Sequence, residues 1–231
     1  MERYSIIKEK RPREIVLLRG SGCVYKKCTF CDYHLDFCKN EKENFILNKS
    51  VLDRVTGIYG ELEVINSGSV FELDNGTIAY LIEICKAKNI KIIHFEAHYL
   101  YNGLINSLRQ TFSGFELKMK LGLESFNYNF RENVLHKGIA ETDPKKIAQN
   151  FNEANFLVGI SGQTISMIED DLRLGLEYFE RICINVFCEN SMPIKPDNQL
   201  IEQFIKEIYP KYKDNLRVDI LISNLDFGVG D

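Results

Sequence analysis

The sequence has no apolar run long enough to cross a membrane, and no apolar segment follows the charged residues near its N-terminus. A membrane-spanning helix needs about 20 consecutive apolar residues, and a secretory signal needs roughly 7–15 behind its charges. These absences argue against a membrane protein and against secretion. We therefore expect a cytoplasmic protein.

The chain also lacks a linker, a low-complexity tract and an internal repeat, and its 231 residues are enough for one α/β domain with a buried core. An excess of basic residues is missing as well, since the formal net charge is −4 at pH 7. Proteins that bind nucleic acid through their overall charge are usually basic. The sequence therefore predicts a single domain over residues 1–231, and nucleic acid is not an expected partner.

Cysteine, in contrast, is plentiful: the chain has seven, and Cys23, Cys28 and Cys31 lie within nine residues. An odd number of cysteines in a reducing compartment argues against a disulfide framework and favours metal binding or catalysis. Three thiolates can hold three irons of a 4Fe–4S cluster and leave the fourth iron open, whereas a structural zinc ion takes four protein ligands. A zinc site completed by His34 or Cys38 is the alternative.

Short β-rich runs alternate with amphipathic helical patterns, which is typical of a parallel sheet built from βα units. The predicted strands are residues 14–18, 62–66, 91–95, 117–123, 156–160, 181–187 and 218–223. Six units fall short of the roughly 250 residues of an eight-unit barrel, so an open six-unit α/β barrel fits the length. Because active sites in such folds lie at the carboxyl ends of the strands, the cysteine loop after the first strand is predicted to be functional.

A period of 3.6 residues predicts helices between these strands. The apolar face of the first comprises Val51, Leu52, Val55, Ile58 and Tyr59. Asp143 and Pro144 predict the N-cap and first turn of a later helix, which we expect to end near Ala154.

The segment Cys28-Thr29-Phe30-Cys31 resembles the signature of the radical S-adenosylmethionine (SAM) superfamily, which has an aromatic residue before the last cysteine. The gap after Cys23 is four residues instead of the usual three. Other segments at predicted strand ends resemble, in order, the parts that meet the amino group, the ribose and methionyl part, and the adenine of SAM. They are Asn66-Ser67-Gly68-Ser69, Gly122-Leu123-Glu124-Ser125 and Gly159-Ile160-Ser161-Gly162-Gln163-Thr164.

This resemblance implies an open (β/α)6 partial TIM barrel with a 4Fe–4S cluster on Cys23, Cys28 and Cys31. In the superfamily the reduced cluster passes an electron to SAM, and the 5′-deoxyadenosyl radical formed abstracts a hydrogen atom from the substrate. An external electron donor such as flavodoxin or ferredoxin is implied as a partner. The residues implied to bind the cofactors are Phe30, Asn66, Ser67, Gly68, Ser69, Glu124, Gly159 and Ile160.

Polar side chains share one face of two predicted strands. His94, Glu96 and His98 alternate on the third strand, and Asn185 and Glu189 lie on and after the sixth. A polar face within a buried strand needs partners or a ligand, which suits a polar heterocycle. The three residues on the third strand could alternatively hold a second metal ion.

Over its whole length the chain resembles the queuine lyases, small radical SAM enzymes of queuosine salvage. The resemblance runs from KRPREIVLLRGSGC through GIYGELEVINSGSVFEL to NLDFGVG at residues 224–230. It implies cleavage of the deazapurine queuine to 7-aminomethyl-7-deazaguanine by a carbon–nitrogen lyase. A carboxylate that binds the guanine-like base is then needed, and the candidates are Glu72, Glu96, Glu189 and Asp226.

We assign base recognition and proton transfer to Glu96 and His98, with Asn185 and Glu189 as polar positioning residues. Two other functions stay open at this point. One is a radical SAM enzyme that modifies a protein or tRNA, and the other is a non-catalytic zinc-binding module.

Overall fold

The computed structural model describes residues 2–223. The predicted segment 224–230, with Asp226, lies outside the described residues. Within the described part, eight strands are hydrogen-bonded in chain order in one sheet. The strands are β1 (Tyr4–Ile7), β2 (Arg13–Leu18), β3 (Glu61–Asn66), β4 (Ile92–Ala97), β5 (Glu116–Glu124), β6 (Glu153–Val158), β7 (Arg181–Val186) and β8 (Val218–Leu221).

Two strand predictions needed correction. The first is β1, which pairs antiparallel with β2 and was missed because its four residues are all half-buried and show no alternation. The second is β6, which begins at Glu153, three residues before the predicted start. The Glu153 side chain is buried in an ion pair with Arg181 (2.7 Å), so a charged residue stands where an apolar one was expected.

Eight α-helices lie between the strands within residues 2–223: α1 (Glu41–Leu52), α2 (Asn75–Ala87), α3 (Ile105–Thr111), α4 (Tyr128–Asn133), α5 (Pro144–Ala148), α6 (Ile165–Tyr178), α7 (Asn198–Glu207) and α8 (Tyr209–Tyr212). Side-chain N-caps start several of them, including Asp74 before α2 and the predicted Asp143 before α5. None of these helices is both long and apolar enough to span a bilayer.

The predicted ends of two helices were wrong. Helix α5 ends at Ala148, well before residue 154, and α1 ends at Leu52, so Ile58 and Tyr59 are exposed rather than on its apolar face. After α1 the chain turns onto the buried carboxylate of Glu14, which accepts hydrogen bonds from the backbone N–H groups of Thr56 and Gly57 (2.7 Å each). This tertiary contact replaces the further helical turns that the apolar spacing predicted.

Residues 2–26 and 33–119 form one compact unit, which contains β1 to β4, the start of β5 and helices α1 to α3. Strands β2 and β3 are parallel and place Leu18 opposite Asn66, so the loops that follow them begin side by side. Near the amino ends of the strands, a buried ion pair joins Arg13 to Glu63 (2.5 Å), and a buried hydrogen bond joins His94 Nε2 to Glu61 (2.8 Å). The polar groups at that end are therefore paired with each other.

Residues 27–32 and 120–223 belong to a second compact unit, which contains the rest of β5, β6 to β8 and helices α4 to α8. The fully buried Arg131 donates hydrogen bonds to the carbonyl oxygens of Ser125, Ile139 and Glu141 (2.7–3.1 Å). These bonds fix the chain that follows β5 and α4. The single domain predicted over residues 1–231 stays a prediction.

Candidate functional site

The loop after β3 presents buried polar atoms that the chain itself does not satisfy. Asn66 and Ser67 are buried, and within the described residues neither Asn66 Oδ1 nor Ser67 Oγ has a hydrogen-bond partner. The other amide atom of Asn66, Nδ2, donates to the carbonyl of Ser69 (3.0 Å), which holds the side chain in place. Buried polar atoms without partners are costly, so this loop is built to meet a polar ligand. Two oxygen acceptors fit the amino group of SAM that the family resemblance implies there.

Gly68 and Glu72 join this loop to the segment of Cys23. A Cβ atom on Gly68 would lie 1.9 Å from Glu72 Oε2 and 3.1 Å from the Cα of Cys23. The Glu72 carboxylate accepts hydrogen bonds from the backbone N–H groups of Val24 (2.8 Å) and Ser69 (2.6 Å). Only glycine allows so close an approach, and the result is that Cys23 lies directly against the loop after β3.

Tyr101 adds a third donor to Glu72, through its hydroxyl group (3.1 Å). Burial and the negative charge of Glu72 raise the pKa of Tyr101, so the phenol keeps its proton and donates. Glu72 was one candidate for binding the base. Because both of its oxygens accept hydrogen bonds within this unit, its contacts favour a positioning role.

Glu96 and His98 lie at the carboxyl end of β4, and both are half-buried. The backbone N–H of His98 donates to Ser69 Oγ (2.9 Å), and its ring stacks on Tyr25 at 4.4 Å between centroids. Its Nδ1 accepts a hydrogen bond from the backbone N–H of Leu100 (3.1 Å). The neutral imidazole therefore carries its proton on Nε2, which makes that nitrogen a donor.

In the second unit, the loop of Cys28 and Cys31 is fixed at the two residues between the cysteines. Thr29 donates from its backbone N–H to the carbonyl of Leu135 (3.1 Å) and from its hydroxyl to the carbonyl of Val134 (2.6 Å). The carbonyl of Phe30 accepts from Asn190 Nδ2 (2.7 Å). Both cysteines are half-buried, and neither is in a disulfide. Held in this way, they are suited to act as ligands.

Lys137, which the sequence analysis missed, lies beside these two cysteines. Its ammonium group is buried, pairs with Glu124 Oε1 at 2.8 Å and lies 5.6 Å from the centroid of the Phe30 ring. Burial opposes the charge, but Glu124 and the thiolates of Cys28 and Cys31 outweigh it and raise the pKa of Lys137. Nothing in the local sequence distinguishes this lysine from the others.

Gly159 and Ile160 begin the loop after β6, and the side chain of Gln163 folds back onto them. Its Oε1 accepts from the backbone N–H groups of Gly159 (3.0 Å) and Ile160 (3.3 Å), and its Nε2 donates to the carbonyl of Leu157 (2.7 Å). Gly159 has a φ of +98°, and a Cβ there would lie 2.5 Å from Ile201. The loop is therefore rigid, and its glycine is required.

The two polar residues predicted from the sixth strand have different surroundings. Asn185 is half-buried within β7. Glu189 is exposed and forms an ion pair with the exposed Lys195 (2.9 Å). The contact of Glu189 with Lys195 is therefore an ion pair on the protein surface.

Within residues 2–223, no group of three or more His, Cys, Asp or Glu side chains is arranged to hold a single metal ion. The second metal ion considered for His94, Glu96 and His98 therefore receives no support. Nor does the zinc ion completed by His34 or Cys38. A 4Fe–4S cluster differs because each thiolate binds a different iron, so its ligands do not surround one ion.

Several solved structures are similar to this one. A queuine lyase from Clostridium spiroforme, bound to SAM and queuine, is 46% identical over 100% of both chains, with a TM-score of 0.95. SuiB from Streptococcus suis, bound to its precursor peptide SuiA, is 16% identical; the match covers 90% of this chain and 48% of that one, with a TM-score of 0.58. Methylornithine synthase is also 16% identical, with coverage of 82% and 60% and a TM-score of 0.54.

The two distant likenesses concern the fold alone. No protein-family model and no curated protein matches the chain.

Proposed function

Since the chain belongs to the queuine lyases of the radical SAM superfamily, we propose that it cleaves queuine with the help of a 4Fe–4S cluster and SAM. The observation that carries this proposal is the full-length likeness to an enzyme of that activity. The predicted family, the open (β/α)6 partial TIM barrel, the lyase activity and the two cofactors are confirmed by it.

The reaction releases 7-aminomethyl-7-deazaguanine by breaking the bond between the amine of queuine and its cyclopentenediol ring. When bound, the cluster and SAM supply a 5′-deoxyadenosyl radical that takes a hydrogen atom from this ring. The protein has to orient the substrate and exclude water.

For the cluster we propose Cys23, Cys28 and Cys31 as ligands. The close packing of Cys23 against Gly68 and the fixed loop of Cys28 and Cys31 support this assignment. For the amino group of SAM we propose Asn66 and Ser67, whose buried oxygens have no partner within the described residues. The other residues assigned to SAM are Phe30, Gly68, Ser69, Glu124, Gly159 and Ile160.

For the substrate we propose Glu96 as the carboxylate that binds the base and His98 as the proton donor. Support comes from their half-buried positions at the carboxyl end of β4 and from the proton on His98 Nε2. Asn185 and Glu189 are proposed as positioning residues. We also propose an external electron-transfer protein, such as flavodoxin or ferredoxin, as the source of the electron, and the cytoplasm as the location.

The experiment that tests this function is anaerobic. The reconstituted chain is incubated with dithionite, SAM and queuine, and 7-aminomethyl-7-deazaguanine is detected by mass spectrometry. Cys28→Ala is the control, and we expect it to lose the iron–sulfur absorbance, 5′-deoxyadenosine formation and the product. Deoxyadenosine without cleaved queuine in the wild type would point instead to a radical SAM enzyme for another substrate, and a colourless zinc protein would overturn the proposal.

Glu96→Gln tests the proposal that the Glu96 carboxylate binds the base of queuine. We expect kcat/KM for queuine to fall about 10- to 100-fold, because a charged hydrogen bond is worth roughly 1.5–3 kcal/mol. The matched control is Glu83→Gln on the exposed side of α2, where kcat/KM should not change. Unchanged turnover in Glu96→Gln would remove this residue from the site.

A further inference from the structure

A buried lysine beside two cysteine ligands requires a physical explanation. The ammonium group of Lys137 has left water and pairs with Glu124 Oε1 at 2.8 Å. A buried charge is tolerated where opposite charges compensate it. Negative charge on Cys28 and Cys31 also acts on this ammonium, so Lys137 lies near three groups that carry negative charge.

The backbone around the pair is shaped to bring these charges together. A Cβ on Gly122 would lie 3.0 Å from Lys137 Nζ and 3.1 Å from Glu124 Oε1, so the glycine leaves the space that the pair occupies. Glu124 has a φ of +71° and His136 a φ of +51°, in the left-handed region that side chains other than glycine rarely adopt. Such strain is maintained where surrounding contacts and function require it.

The segment that carries Lys137 is also attached to the cysteine loop. Thr29, between Cys28 and Cys31, donates hydrogen bonds to the carbonyls of Val134 and Leu135, which lie three and two residues before the lysine. From the other side, Glu132 accepts hydrogen bonds from the backbone N–H groups of Gly138 (2.8 Å) and Ile139 (3.0 Å). The lysine is therefore held at a fixed place relative to the two thiolates.

We propose that Lys137 sets the reduction potential of the cluster from the side of Cys28 and Cys31, and that the negative charge of the neighbouring Glu124 offsets part of this effect. The inference rests on the proposed function, because it requires the cluster. Reduction adds an electron to a centre whose thiolates are already negative. A fixed positive charge in a medium of low dielectric constant stabilises the reduced form and makes the potential less negative.

The test is a redox titration of the reconstituted cluster, followed by electron paramagnetic resonance in the absence of SAM. We expect the midpoint potential of Lys137→Met to be more negative than that of the wild type. Lys137→Arg keeps the charge and should restore the potential. Lys146→Met, on the exposed face of α5, is the matched control and should not shift it.

Glu124→Gln is the second variant, and it should shift the potential in the opposite direction. Removing this negative charge should make the potential less negative, so the two variants should shift in opposite directions. If Lys137→Met does not retain a cluster, Glu124→Gln decides, and an unshifted or more negative potential overturns the inference. Equal potentials in the wild type and Lys137→Met overturn it as well.

These outcomes are separate from the test of the proposed function. A wild-type chain that carries the cluster but does not cleave queuine would overturn the proposed substrate and leave the comparison of potentials valid. A wild-type chain without a cluster would overturn both.

Discussion

Gly68 shows how much a single residue decides in this protein. Because Gly68 has no side chain, the Glu72 carboxylate can lie against it. There it accepts hydrogen bonds from the backbone N–H groups of Val24 and Ser69. The pattern Asn-Ser-Gly-Ser was identified from the sequence, but the partner that requires the glycine lies four residues further along the chain. It was seen only in the structure.

Gly68→Ala is expected to lower the free energy of unfolding by roughly 1–3 kcal/mol, because the new Cβ forces Glu72 out of its place. The retention of iron by the reconstituted protein should fall as well. Urea unfolding and iron analysis measure both effects. Gly103→Ala is the control, since nothing lies within 4 Å of its added Cβ; equal losses in the two variants would contradict the argument.

Asp171 is a second residue with an effect that can be measured. It is buried in α6 and accepts a hydrogen bond from the backbone N–H of Phe126 (2.6 Å). Burial raises the pKa of its carboxyl group from 3.8 to about 7. The folded state therefore holds this proton at a pH where the unfolded state has lost it.

A raised carboxyl pKa means that stability is full below the unfolded pKa and is lost as the pH rises through the folded pKa. Between about pH 5 and pH 8, the wild type should lose roughly 2–3 kcal/mol of unfolding free energy relative to Asp171→Asn, which has no proton to release. Urea unfolding at several pH values measures this difference. Asp214→Asn, at an exposed position outside the surroundings of Asp171, should keep the wild-type slope. Parallel curves for wild type and Asp171→Asn would contradict the prediction.

At the scale of elements, the positions of the three clustered cysteines are set by loops rather than by helices or strands. Strand β2 leads to Cys23, while the loop of Cys28 and Cys31 is held by the carbonyls that follow α4. These carbonyls lie at a helix end, where the last C=O groups have no helical partner. The hydroxyl of Thr29 satisfies one of them.

Thr29→Val removes this hydroxyl and leaves the carbonyl of Val134 without its donor. We expect the free energy of unfolding to fall by about 1 kcal/mol and the cluster to be lost faster to an iron chelator. Thr111→Val is the matched control, because its hydroxyl also donates to a carbonyl, that of Ser107, but at the exposed end of α3. A chelation rate equal to that of the wild type would show that the Thr29 bond does not hold the loop.

At the scale of the whole molecule, the cofactors are part of the stability. A ligand that binds the native chain and not the unfolded chain stabilises the native state by mass action. Within the described residues, the buried Asn66 Oδ1 and Ser67 Oγ have no hydrogen-bond partner, so a ligand that satisfies them would stabilise the folded state.

Addition of SAM to the reconstituted protein at 100 times its Kd should therefore raise the unfolding free energy by about 2.7 kcal/mol. Removal of the cluster should lower the unfolding temperature. Anaerobic thermal unfolding measures both changes. Cys28→Ala should show no response to iron and sulfide, and an unchanged unfolding temperature of the wild type on reconstitution would contradict the prediction.

The sequence by itself determined the type and order of most elements and the spacing of the cysteines. Strands β2, β3, β5 and β7 begin within one residue of their predicted starts, because apolar runs and the turns around them are local signals. The likeness of the motifs at the strand ends identified the family for the same reason.

Only the tertiary structure decided which polar groups meet. Helix α1 ends where the chain turns onto Glu14, Glu72 reaches back 48 residues to Val24, and Lys137 pairs with Glu124 across 13 residues. Such contacts depend on where the backbone brings distant residues together. The sequence does not show whether a charged side chain is solvated, like that of Glu189, or buried in an ion pair, like that of Glu124.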